Sequence, residues 1–446
     1  MTLLARAAAW CETLRQYVQA RPGARAFATN SAWLVMDRVI RAVLTLTVGA
    51  WIARVYGPSV FGEYTYAITF VALFIGMANL GANDLIVRDL ANSPQNAANT
   101  LGTVFLLRLT AGLLCWALAV LAVQLLRPQD YAATHLVALV GLGLVLQASD
   151  TIDLWLQSQS RNQLAVSAKL IACIAGNLIR IGLIVMQAPL WALALSVVVD
   201  AALTSLALSL AYRHAPCSAR WRFDKRFASS LLRQSWPFML SGVAILVYMR
   251  IDQLMIREML GDAALGLYSS ALTVSQMWYF VPVALCTALA PHIARKKQQD
   301  EAAYMLALGQ VFRIFAIGSL ALALATMLLA QPLVHVLYGP DYAAAVPVLT
   351  IHVWSNVFVF MGVAQGLWLV NERMGRITLY RTLLGAASSV LGNLLLIPLW
   401  GLEGAALSTV LAMLVSAVAS NAILAPKIFA LQMRAFVPAR VWCRVS

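Results

Sequence analysis

Apolar runs of about twenty residues recur along the whole chain, each long enough to cross a hydrocarbon core of roughly 30 Å. A segment in lipid must satisfy its backbone internally, so only helices or a closed barrel can cross. Barrel strands alternate polar and apolar residues, and these runs do not alternate. They predict about twelve helical spans, near 32–53, 60–82, 101–125, 134–156, 164–186, 190–212, 236–257, 265–290, 304–329, 346–370, 378–399 and 404–426. Hydrophobic residues make up 61% and charged ones 11% of the 446 residues, a balance that water would not tolerate. The expected fold is therefore an all-α polytopic membrane protein.

Formal charge is +14, and the location of the basic residues accounts for it. Under this span map roughly 21 Lys and Arg fall on the side shared by both termini, about 3 on the other, and about 8 within spans. That asymmetry marks the shared side as cytoplasmic and favours an even number of crossings. The first thirty residues hold Arg6, Arg15, Arg21 and Arg25 but no cleavable signal. Leu3, Ala7, Trp10, Leu14 and Val18 share a helical stripe, as expected of a helix lying in the membrane interface. Between the sixth and seventh spans, Arg213, Arg220, Arg222, Lys225, Arg226 and Arg233 alternate with Trp221, Phe223 and Phe227. This reads as an amphipathic linker on anionic lipid rather than a nucleic-acid surface. The expected organisation is a cytoplasmic segment over 1–31, an N-lobe over 32–212, the basic linker over 213–235, a C-lobe over 236–426 and a basic tail over 427–446. Cysteines and histidines are dispersed, without the spacing of a disulfide framework or a metal site.

The chain also resembles itself. YGPSVFGEYTYAI from Tyr56 matches LGDAALGLYSSAL from Leu260, with Gly57, Gly62, Tyr64 and Ala67 answering to Gly261, Gly266, Tyr268 and Ala271. Asp130-Tyr131-Ala132-Ala133 recurs as Asp341-Tyr342-Ala343-Ala344, and Gly176-Asn177 as Gly392-Asn393. Each repeat holds six spans, so both copies start from the same side and are related by a pseudo-two-fold axis along the membrane normal. Two six-helix lobes arranged in this way leave a cleft that can open to either side by rocking, which favours a transporter.

An ionisable residue in mid-span costs about 2.5 to 3.5 kcal/mol on insertion scales, so it should face protein or a watery cavity. The cations within spans are Arg38, Arg41, Arg108, Lys169, Arg180, Arg250, Arg313 and Arg381; the acids are Asp37, Asp150, Asp153, Asp200 and Asp252. Lys169, Cys173, Gly176 and Arg180 share one helical face, with the two cations about 16 Å apart. Asp37 and Arg41, four apart, should pair, whereas Arg250 and Asp252 should turn to different neighbours. One reading is mutual pairing, with Lys169, Arg381 and Asp200 snorkelling to the cytoplasmic surface. The other is a positive cleft for an anionic head group, where arginine forks bond phosphate oxygens and Tyr64, Tyr66, Tyr248, Tyr268, Trp278, Tyr279 and Trp368 offer stacking surface for sugars.

Three stretches carry a family resemblance: ARVYGPSVFGEY; SWPFMLSGVAILVYMRIDQLMI with LGDAALGLYSSAL; and YGPDYAAAVPVL followed by LGNLLLIPLWGLEGAALST. On these the chain resembles the polysaccharide-biosynthesis flippases of O-antigen and exopolysaccharide pathways, in the superfamily that includes multidrug and toxin extrusion exporters. The resemblance implies a bacterial inner-membrane transporter with both termini in the cytoplasm. It would move an undecaprenyl-pyrophosphate-linked repeat unit outward for capsule, O-antigen or exopolysaccharide assembly, with membrane lipids and a polysaccharide polymerase as neighbours. It further implies a cationic cavity drawn from Arg41, Arg108, Arg180, Arg250 and Arg313, joined by Arg38, Lys169 and Arg381. No cofactor or catalytic residue is implied; Asp37, Asp150, Asp153 and Asp252 are the places where proton or sodium coupling would sit. The alternatives are a cation-coupled drug exporter, expected to be carboxylate-dominated, and a membrane glycosyltransferase or polymerase, which would need a larger domain outside the membrane than residues 213–235 provide.

Overall fold

The computed structural model describes residues 22–436 except 216, 218, 219 and 373. The amphipathic stripe expected over 3–18 and the end of the basic tail lie outside the described residues. The described residues form helices joined by short turns, with no strand among them. Ten helical stretches are long and apolar enough to cross a membrane, and two of these are double. Pro22–Ala78 is broken at Gly57 (φ 77°) and Gly375–Leu414 at Gly401 (φ 56°), so each of these helices turns back on itself. Twelve crossings result, in agreement with the sequence map. An even number returns the chain to the face it left; the opposite face, where Gly57 and Gly261 lie, is here called the turn face.

In crossing order, the first two spans share Pro22–Ala78, and the third is Ala97–Leu126. The fourth runs through Tyr131–Leu146 and Asp150–Ser158, the fifth is Asn162–Val185 and the sixth Leu190–Tyr212. The seventh is Lys225–Leu260, the eighth Asp262–Gln276 continued by Phe280–Gln299, and the ninth Glu301–Leu328. The tenth is Ala345–His352 with Ser355–Asn371, and the last two share Gly375–Leu414, ending in a π turn at Val415–Ala419.

The linker is shorter than expected. Asp224 caps the seventh helix, its carboxylate accepting from the Arg226 and Phe227 N–H groups at 2.8 and 3.2 Å, so 225–235 are helical. The residues before the cap lie on the third span: Arg222 N–H donates to Ala98 O at 3.1 Å and Asp224 N–H to Thr103 Oγ1 at 2.9 Å. Trp221, whose indole N–H bonds the Tyr212 hydroxyl, packs beside Phe105.

The cores explain how the lobes sit together. At the turn face a single apolar cluster contains residues of both, from Val48, Phe61 and Tyr66 to Leu265, Tyr268 and Tyr342. Toward the other face each lobe has a cluster of its own: Leu101, Trp155 and Leu208 in the N-lobe, and Phe312, Phe360 and Ile428 in the C-lobe. The shared core lies at the turn face; toward the other face the lobes still meet where the second span packs on the seventh, Gly76 against Gly242 and Gly81 against Met239.

The joint is formed by the repeated motif itself. Gly62 of the second span and Gly266 of the eighth lie against each other, and a Cβ on either would strike backbone of the other copy, at Asp262 or at Pro58. Only glycine lets two helices approach so closely. Tyr342 donates to Ala53 O at 2.9 Å and Arg54 to Val336 O at 3.1 Å, closing the same end.

Candidate functional site

Above the glycine contact, charged groups from the two lobes interlock. Arg257, at the end of the seventh span, has a side chain only 1% exposed and reaches Asp130 of the third-to-fourth turn at 3.0 Å and Asp262 at the start of the eighth span. Its guanidinium lies over the Tyr66 ring of the second span, 3.7 Å from the centroid, which covers the one nitrogen, Nη1, that has no oxygen partner. Arg127 donates to Glu258 at 2.8 Å and sits 3.4 Å from Asp130. The clasp thus runs N-lobe, C-lobe, N-lobe, with each buried charge paired. Lower down, Thr69 donates to Gln253 at 2.6 Å, again between lobes.

Burial alone would raise the Asp130 carboxyl. The Ala133 N–H and the Arg257 and Arg127 guanidiniums favour its charged form and hold it below the usual value. A depressed carboxyl contributes stability that is complete above the ordinary aspartate range near 4 and is lost as pH falls through the lowered value. The clasp is expected to hold at neutral pH and to loosen only below about pH 4; spin-label distances between Gln129 and Asp341 would measure it, and a distance that already grows near pH 6 would refute it.

Inside the N-lobe the intramembrane charges gather at two levels. Arg41 bonds Asp37 one turn before it at 2.8 Å, the pairing read from the sequence. These two, with Arg180 and Asp200, surround Cys173. Asp200 stands over Gly176, where a Cβ would collide with its carboxylate, and its Oδ1 is buried without a partner. Arg180 donates only to Ser196 Oγ, at 3.0 Å. Nearer the chain-end face, Lys169 pairs with Asp153 at 2.7 Å and Asp150 at 3.4 Å, and buried Arg108 reaches Asn83 at 2.5 Å beside the same two acids. Lys169 is therefore held by internal partners rather than reaching the surface.

In the C-lobe Asp252 turns inward, accepting from Tyr268 at 2.7 Å and Thr409 at 3.3 Å. Arg250 forms no hydrogen bond or ion pair among the described residues. It lies one turn from Gln253 on the same helical face, the face that meets the second span. Arg381 donates to the neutral Gln365, itself bonded to Asn421 at 2.7 Å, which donates to Gln432 of the terminal helix Pro426–Ala435 at 3.0 Å. A buried amide chain thus fixes this guanidinium without neutralising it.

The eight cations therefore separate by partner. Arg41 and Lys169 pair with carboxylates, and Arg108 sits among Asn83, Asp150 and Asp153. Arg180 and Arg381 bond only neutral groups; Arg38, Arg250 and Arg313 have no hydrogen bond or ion pair among the described residues. Arg313 is not brought to the others, for it lies on the outer side of the ninth span. Tyr66 and Tyr268, read as stacking surface for sugars, serve Arg257 and Asp252. Sequence reasoning missed the clasp, whose one visible signal was the recurrence of the Asp130 tetrad at a turn.

A sequence profile described as polysaccharide biosynthesis protein matches residues 51–347. The chain belongs to that family. Its match spans the glycine joint, the clasp and most of the intramembrane cations, and stops within the tenth span. No curated protein matches the chain significantly. Among solved structures, the lipid II flippase MurJ in an inward closed conformation aligns with a TM-score of 0.72 at 12% identity, over 90% of this chain and 90% of that one. An inward-facing multidrug-resistance MATE transporter of the MOP superfamily aligns at 0.69 and 14% identity, over 90% and 99%. A MOP-superfamily transporter from Pyrococcus furiosus, described as having a binding pocket of reversed polarity that suggests a different function, aligns at 0.64 and 15%, over 91% and 95%. The polysaccharide-biosynthesis family member thus has the fold of the MOP transporters.

Proposed function

We propose that this protein flips undecaprenyl-pyrophosphate-linked oligosaccharide repeat units from the cytoplasmic to the periplasmic leaflet of the bacterial inner membrane, for O-antigen, capsule or exopolysaccharide assembly. One observation carries the reading. Two lobes share a core at the turn face, and the arginines Arg180, Arg250 and Arg381 inside them bond no carboxylate among the described residues. A guanidinium held at membrane depth with no carboxylate bonded to it keeps its fork open to an anion, and that planar fork matches pyrophosphate oxygens. The family match supports a polysaccharide precursor as the anion's bearer.

In this reading the turn face is periplasmic and the clasped arrangement is the cytoplasm-open state. The head group enters between the lobes from the chain-end face while the polyprenyl tail stays in lipid. The clasp then breaks and the lobes rock about the glycine joint. Moving a negative charge outward is downhill by about 2.3 kcal/mol per charge per 100 mV of inside-negative potential. The flippase reading is set against a cation-coupled exporter, which would place carboxylates, not free arginines, in its passage.

Replacing Arg180 or Arg250 with Ala is expected to reduce surface polysaccharide at least tenfold at unchanged protein abundance, and deleting the gene should leave repeat units on the carrier facing the cytoplasm. Normal polymer from both variants would defeat the reading. Altered drug sensitivity with intact polymer would instead favour the exporter.

A further inference from the structure

The ninth span carries a charge that no other described residue pairs with. Glu301–Leu328 has 28 residues, and Arg313 lies about 18 Å along it at 1.5 Å per residue, close to its midpoint. Tyr304, Leu308, Phe312, Phe315 and Ser319 are buried against the rest of the C-lobe. Arg313 lies away from them, half-buried between exposed Gln310 and Ile317, with no hydrogen bond or ion pair among the described residues. Its counterpart under the internal repeat, Arg108, is fully buried and surrounded by Asn83, Asp150 and Asp153. One copy of this cation is held inside its lobe by Asn83 near two acids; the other is presented outward.

The residues around Arg313 form a recognisable surface. Leu306, Gln310, Arg313, Ile317, Leu320 and Leu324 follow one another at steps of four, three, four, three and four, the spacing of a helix-packing seam. Leu306 and Leu324 are 60% and 49% exposed and Gln310 and Ile317 are exposed between them, with Arg313 and Leu320 half-buried. Phospholipid head groups lie roughly 15 Å from the middle of a 30 Å core, beyond the reach of the side chain. A second copy fits no better. A two-fold axis along the membrane normal would set Arg313 against Arg313 at equal depth, two like charges in low dielectric.

We infer that the outer face of the ninth span is a docking seam for a transmembrane helix of another protein, one that carries an aspartate or glutamate near its midpoint to pair with Arg313. Leu306, Ile317 and Leu324 supply packing, Gln310 a hydrogen bond, and the charge sets partner and depth. The inference is independent of what the lobes transport.

The test uses the full-length chain bearing a donor fluorophore in phosphatidylcholine vesicles, with acceptor-labelled Leu/Ala transmembrane peptides whose central residue is Glu, Gln or Leu. The Glu peptide should associate at least tenfold more tightly than the Leu peptide, with Gln between. Arg313→Leu should abolish the preference, and Arg313→Lys should keep part of it. Ile317→Trp should weaken the Glu peptide by obstructing the seam while the charge remains. Removing a lipid-facing charge does not endanger folding, so a negative result is interpretable. Equal binding of Glu and Leu peptides, or a preference that survives Arg313→Leu, would overturn the inference. So would a photo-crosslinker at Ile317 that captures only lipid, the polyprenyl carrier included.

Discussion

Replacement of Arg257 by leucine is expected to open the turn face and shift the protein toward the opposite conformation. The substitution removes one cation, strands Asp262 and leaves Asp130 with Arg127 alone, beside the Tyr66 ring. Breaking a buried pair from one side costs about 3 to 5 kcal/mol, which amounts to a shift of about two to nearly four orders of magnitude in the balance between clasped and open lobes. Spin labels at Gln129 and Asp341 should move apart, and polymer export should collapse because the passage no longer resets. Arg257→Lys is expected to fall between, keeping the charge but losing the fork that spans both lobes. An unchanged label distance in Arg257→Leu would remove the clasp from the mechanism.

The second large effect is expected from the glycine joint. Gly266→Leu places a side chain where the Pro58 backbone already stands. Overpacking that flexible neighbours absorb costs about 1 to 3 kcal/mol, but backbone cannot yield here without parting the helices, so the clasped state should be lost altogether. Gly318→Ala is the control, because nothing lies within 4 Å of a Cβ there. Each lobe keeps its own cluster toward the chain-end face, so the Gly266 variant should still insert and resist proteolysis within lobes while failing to export. Wild-type export by Gly266→Leu would show that the two spans need not touch.

How much of this was readable beforehand follows from the range of each interaction. The spans were legible because lipid imposes one rule on every crossing segment, and the Asp37–Arg41 pair because it is a four-residue contact on one helix. The opposed directions of Arg250 and Asp252 followed from two-residue spacing in the same way. Lys169 was ambiguous, since its partner Asp153 sits on a neighbouring helix sixteen positions away, and no local pattern ranks that pairing above exposure. The clasp was invisible: Asp130 and Arg257 are 127 positions apart, and Arg257 read as the end of a span. The outward placement of Arg313 is latent in the spacing of Leu306, Ile317 and Leu324, which a count of charges alone does not register. The helix start at Lys225 within 213–235 has a local cause, the Asp224 cap, set among basic residues.

The meeting of Gly62 with Gly266 has a bearing on ancestry. A contact made by the same position of two copies is the kind a symmetric pair of identical chains would have formed before they were fused, and each partner still serves as the other's template. A residue gaining bulk at either position meets backbone of the other copy, which no side-chain change at the partner can relieve. The two glycines are therefore expected to be kept or lost together with the contact itself among descendants of this chain.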